Sequence, residues 1–195
     1  MAYPTVSAPY GFVPVNRLDF MPYAGATRQY TATASTAMYS GQLVELDVGG
    51  TVAPATSLTA GAKLGVAVGF SYTNSQSQPV QAQSLPASGV TNPVVYVVDD
   101  PKALFKVAVT DASNDIATVT QAAVGTNVTA LIGTPNISGN AGSSILSTSP
   151  AATNTFPLRV VAVVPETAAS ATTFTEVLVK INLHQFDTTT GNAVA

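Results

Sequence analysis

Few side chains in this sequence are placed to do chemistry. Asp99 and Asp100 stand together in "VYVVDDPKALFKVAV", between two runs that read as strands. His184 is the one histidine, in "NLHQFD", with Asp187 three residues on. A hard cation needs several oxygen ligands converging from alternate loop positions, and "DDP" lacks the "DxDxDG" spacing. Neighbours in a strand point to opposite faces, so the two carboxylates would meet only if a turn folded them together. Asp before Pro is itself a turn opener, because the carboxylate caps backbone N–H groups and the proline ring pre-sets the next φ. The pair therefore reads as a turn, with Asp99 as its cap and Asp100 beside Lys102.

A Ser-His-Asp triad would have to use His184 with Asp187 or another acid, and no "GxSxG" elbow accompanies it. There is no "GxxxxGK[ST]" phosphate loop. No cysteine is present, which removes disulfides, zinc–thiolate sites and thiol nucleophiles together. The residues thus give no support for catalysis, and the expectation is a non-enzymatic protein without cofactor or metal. The sequons at Asn127 and Asn136 are chance matches in a chain so rich in Asn, Thr and Ser.

The elements that would position any site have a consistent character. Ala, Val, Thr and Ser make up 98 of the 195 residues, and only 9% are charged, with a net charge of −3. Small and β-branched residues suit closely spaced sheets, and a weakly charged surface suits a molecule held in an assembly. The seven basic residues are scattered from Arg17 to Lys180, which argues against nucleic-acid binding. No basic segment leads an apolar one at the N-terminus and no run of 18 apolar residues occurs, which argues against a signal peptide and a membrane span.

Residues 1–36 differ from the rest. Four prolines punctuate them, and they carry Tyr3, Tyr10, Phe12, Phe20, Tyr23 and Tyr30. Proline at this spacing forbids helix, while so many rings are foreign to a solvated tail. The segment reads as an extended, Pro/aromatic-rich arm that lays its rings on its own domain or on a neighbouring subunit.

From 37 to 195 the pattern is strand, turn, strand. "GQLVELDVGGTVAP" is a hairpin turning at Gly49-Gly50. In "KLGVAVGFSY", Val66, Val68 and Phe70 form a large apolar face, and Gly65, Ala67 and Gly69 a bare one that admits another backbone. Further strands are expected at Val94–Val98, Ala103–Val109, Ile116–Thr120, Pro157–Val164 and Phe174–Leu183. The last buries Val177, Val179, Ile181 and Leu183 and solvates Glu176, Lys180 and Asn182. Helical periodicity is confined to 121–132, where Gly125 opposes it. Many short strands between Ser/Thr/Asn/Gly/Pro loops give an all-β fold, a single β-sandwich or β-barrel body behind the arm.

The segments "SAPYGFVPVNRLDFMPYAGATRQY", "LGVAVGFSYT", "YVVDDPKALFKVAV" and "LVKINLHQ" together resemble the head decoration, or cement, proteins of tailed bacteriophages. The resemblance covers most of the chain except about 121–155. It implies a virion structural protein, made in the host cytoplasm, that sits on the capsid exterior, bridges capsomers and opposes internal pressure. Its partners would be the major capsid protein and copies of itself, a trimer before a dimer, with neither nucleic acid nor membrane involved. On that reading Tyr3, Tyr10, Phe12, Phe20, Tyr23 and Tyr30 are anchors for capsid or subunit contacts, and Arg17 and Arg28 orient them. The alternative is a tail-associated or cell-surface β-sandwich module that binds glycans or a host receptor through a concave, aromatic-lined site.

Overall fold

Strands form wherever the Val- and Thr-rich runs escape proline and glycine, and the computed structural model describes them over residues 8–19, 21–135, 139–168 and 173–187. In chain order they are β1 (Val13–Arg17), β2 (Arg28–Thr31), β3 (Met38–Tyr39), β4 (Leu43–Leu46) and β5 (Val52–Pro54). Then come β6 (Gly65–Asn74), β7 (Pro79–Ala82), β8 (Ser84–Leu85), β9 (Val90–Val98) and β10 (Ala103–Thr110). The chain continues through β11 (Asn127–Val128), β12 (Ala130–Leu131), β13 (Ser144–Leu146), β14 (Leu158–Val163) and β15 (Glu176–Ile181). The described residues contain no α-helix, only one 3-10 turn at Gln121–Ala123. The fold is nearly all β.

Two sheets divide the work. In the first, β11, β14, β15 and β10 lie side by side. The other edge of β10 is shared, β1 taking its first half and β13 its last two residues, with β12 beyond β13. The second runs β2–β9–β6–β4–β5, with β7 along the far half of β6. A parallel bridge from Ala32 to Val52 joins its two ends, and the Thr33 N–H donates to the Val52 carbonyl at 2.8 Å. The sheet is thereby a nearly closed barrel, and it closes through a residue of the N-terminal segment. β3 and β8 form a separate short pair.

The core divides into two clusters. Met38, Val44, Val52, Leu64, Phe70, Val95 and Val97 fill one cluster, drawn from the barrel strands and the segments beside them. Phe105, Val107 and Val109 of β10, Val177, Val179 and Ile181 of β15, and Leu158 and Val160 of β14 pack against Leu43, Val66 and Val98 in the other. The expected inward residues of β9, β10 and β15 are fully or nearly fully buried, while Leu183, expected on the same face as Ile181, lies beyond the strand and is half-buried.

Three sequence expectations change. In β6, pairing with β9 slips between Ala67 and Gly69, and a bulge of this kind flips the alternation that follows. Phe70 therefore joins Ala67 inside the barrel, while Val66 faces the other core. The bare face does admit a backbone: a Cβ on Gly65 would stand 2.2 Å from the Val98 carbonyl oxygen. Residues Ile116–Thr120 are not a strand. Asp111 accepts the N–H groups of Ser113 and Asp115 at 2.8 and 2.9 Å, Asn114 takes φ +66°, and the sharp turn returns the chain for a single bridge, Ile116 to Thr110. Glu176 is not solvated, being only 5% exposed. The stretch 121–155, which the resemblance does not cover, keeps of its helical periodicity only the 3-10 turn at Gln121–Ala123 and supplies β11, β12 and β13 to the first sheet.

Candidate binding surface

The acidic pair is spent on the N-terminal segment. Asp100 caps the β9–β10 turn, accepting the Lys102 N–H at 2.9 Å while its carbonyl accepts the Ala103 N–H at 3.0 Å. Its other carboxylate oxygen lies 2.9 Å from the Arg17 guanidinium. Asp99 accepts the Tyr30 hydroxyl at 2.5 Å and faces the Arg28 Nε at 3.2 Å. The cap is thus Asp100 rather than Asp99. Its ion partner is Arg17, whereas Lys102 lies 3.7 Å from Asp19. Burial, then the Asp99 bond and charge, push the Tyr30 phenol up to about 12.

Tyr10, Phe12 and Tyr23 also turn inward. Phe12 is 1% exposed and belongs to the core beneath the first sheet. The Phe12 N–H donates to the Gly41 carbonyl at 2.9 Å. The Tyr10 hydroxyl donates to the Glu176 carboxylate, which Lys106 meets at 3.1 Å while its ammonium sits 5.7 Å from the Tyr10 ring centre. Burial first, then Glu176, drive the Tyr10 phenol far above its ordinary range. Tyr23 packs against the same core and donates to the Ala26 carbonyl at 3.3 Å. Arg28 stacks over Phe186 at 5.5 Å. Tyr3 and Phe20 lie outside the described residues. Between the N-terminal segment and the body runs a groove of about 410 Å³ lined by Tyr10, Phe12, Tyr23, Gly25, Val68 and Asn140 among others.

What faces solvent is aliphatic. Val13, Val15, Leu18 and Met21 are 39–59% exposed, and they are four of the eight large hydrophobics exposed among the described residues. β1 pairs only with β10, with a register shift between Pro14 and Asn16. Beyond it the chain turns back for one bridge from Asn16 to Pro22. None of these residues is aromatic, so none stands out in the sequence as an anchor. The available signal was Pro14 between two valines, because proline confines a strand to an edge.

The remaining chemical candidates are structurally engaged. His184 is 2% exposed, and its Nδ1 accepts the Phe186 N–H at 3.2 Å. A triad histidine instead donates from Nδ1 to a carboxylate. Asn127 is buried, donating to the Thr153 carbonyl at 2.9 Å and accepting from Arg159 at 2.8 Å. The second sequon, at Asn136, lies outside the described residues. No protein-family model and no curated protein matches the chain.

Proposed function

We propose that this chain is a non-enzymatic structural protein of a tailed-phage virion, a β-rich body that binds the capsid exterior and bridges capsomers, with the major capsid protein and copies of itself as partners. The observation that carries the reading is the clustering of Val13, Val15, Leu18 and Met21 on an edge strand and the turn after it. Single exposed aliphatic residues are ordinary, whereas a run of them on one edge marks a contact surface. Tyr10, Phe12, Tyr23 and Tyr30 serve to hold that edge in place. Lattice symmetry would multiply a modest contact of this size.

A glycan-binding module would use the groove beside Tyr10 and Tyr23. Three hydroxyls on its wall are already committed: Tyr10 to Glu176, Tyr23 to the Ala26 carbonyl and Ser40 to the Val68 carbonyl. Thr27 and Asn140 are the other polar side chains on that wall, a small donor set for a polyhydroxylated ligand.

The test is occupancy on purified shells that lack this protein. The triple variant V15D/L18D/M21D should bind at least tenfold more weakly than wild type, with its thermal midpoint within a few degrees of wild type. Undiminished occupancy by the folded variant overturns the proposal.

A further inference from the structure

The chain leaves β15 at Ile181 and makes a turn over residues 184–187, closed by the Asp187 N–H donating to the His184 carbonyl at 2.9 Å. That turn is fastened to the barrel. The Lys63 N–H donates to the Leu183 carbonyl at 2.8 Å, and the Gln185 N–H to the Lys63 carbonyl at 3.0 Å. The Gln185 side chain clamps Leu46, accepting its N–H at 2.8 Å and donating to its carbonyl at 3.4 Å.

At the centre sits His184, buried, with Nδ1 accepting the Phe186 N–H and Nε2 without a hydrogen-bond partner. Accepting at Nδ1 requires a lone pair there, so the ring is neutral with its proton on Nε2. A second proton can go only to Nδ1. It would set an N–H against the Phe186 N–H, break that bond and place a charge in a site closed to water. We propose that His184 is a proton-operated latch: neutral, it holds the 184–187 turn on the barrel, and protonated, it releases the turn.

The charged groups around the ring divide. Asp187 on its own turn and Asp99 from the β9–β10 turn favour the cation, as do the Leu64 and Asp99 carbonyls. Lys63, bridged to His184, is itself buried with its ammonium held by Glu45 at 3.1 Å. Arg28 lies across Phe186, whose ring is 5.8 Å from that of His184. Burial outweighs the favourable groups and pulls the imidazole below its ordinary value. A histidine lowered on folding contributes stability present above about pH 6.5 and lost as pH falls from there through the folded value.

Amide hydrogen exchange, corrected for intrinsic rates, reads the latch directly. Protection at Leu46, Lys63 and Gln185 should fall at least tenfold between pH 7.5 and pH 5, while Val107 and Val177 hold theirs. His184→Asn keeps an acceptor near the Nδ1 position and cannot titrate, so its protection at those amides should stay flat. Unchanged wild-type protection, or an equal acid loss in His184→Asn, overturns the proposal. Should that variant fail to fold, NMR titration of this sole histidine decides. A midpoint that coincides with loss of the Leu46 and Gln185 amides supports the latch, and titration with those amides still protected overturns it.

Discussion

The N-terminal segment puts its aromatic and its aliphatic residues to opposite uses. Tyr10, Phe12 and Tyr30 point inward, to the Glu176 carboxylate, the core beneath the first sheet and the Asp99 carboxylate respectively. Between them, Val13, Val15, Leu18 and Met21 face water. Burying a ring removes far more apolar area from water than burying a valine, so the rings supply attachment and the smaller aliphatics are left for another surface. The contrast makes the inner stretch a matter of stability and the outer one a matter of assembly, and substitutions should separate the two.

Phe12→Ala should have the largest effect. Its ring is fully enclosed among residues of both sheets, and truncating such a phenylalanine costs about 3–5 kcal/mol. Urea denaturation should show a lower midpoint with an unchanged slope. A midpoint near wild type would show that the inner stretch is a removable strap, and the contrast with the outer stretch would collapse.

The adjacent carboxylates test the same contrast at finer scale, since Asp99 grips the inner stretch and Asp100 the outer. The Asp99 side chain is 11% exposed and accepts the Tyr30 hydroxyl. Asp99→Asn should cost about 1–3 kcal/mol, the range for a buried bond to a charged acceptor. Most of that comes from the tyrosine, because the Arg28 side chain is 61% exposed and its ion pair is screened. Asp100→Asn keeps an oxygen for the Lys102 N–H and gives up only a solvent-accessible pairing with Arg17. Its denaturation midpoint should match wild type. Equal losses in the two variants would mean that the turn, rather than the N-terminal segment, draws on both acids.

The β character of the chain, the Gly49-Gly50 hairpin and the inward faces of β10 and β15 were legible because each rests on local alternation or turn chemistry. What was not legible depends on register and on partners distant in sequence. The slip in β6 that turns Phe70 into the barrel follows from pairing with β9, which no window around Phe70 contains. Glu176 reads as a solvated position because its cover comes from Tyr10, 166 residues away. Arg28 reads as a free contact residue for the same reason, its carboxylate lying on a turn more than 70 residues on, whereas Arg17 has one partner nearby in the sequence, Asp19, and one distant, Asp100. The exposed aliphatics were missed through a different cause. Exposure is decided by which side of β1 receives a neighbour, and Pro14 between the two valines is the sequence's one sign of it.

The smallest effect isolates a single bond of the inner stretch. The Tyr30 phenol is raised to about 12, chiefly by burial and then by the bond and charge of Asp99. A folded-state value above the unfolded one stabilises fully below about pH 10 and is lost as pH rises through about 12. Because Tyr30 is only half-buried, screening reduces the contribution to roughly 1 kcal/mol. Wild type should therefore exceed Tyr30→Phe in stability at pH 9, and the gap should close by about pH 12. Subtracting one protein from the other cancels the other tyrosines and the lysines, which titrate in both. A gap that stays constant across this range would mean that Asp99 does not hold the phenol proton. Asp99 would then grip the segment through Arg28 alone, a side chain more exposed than the Arg17 that meets Asp100.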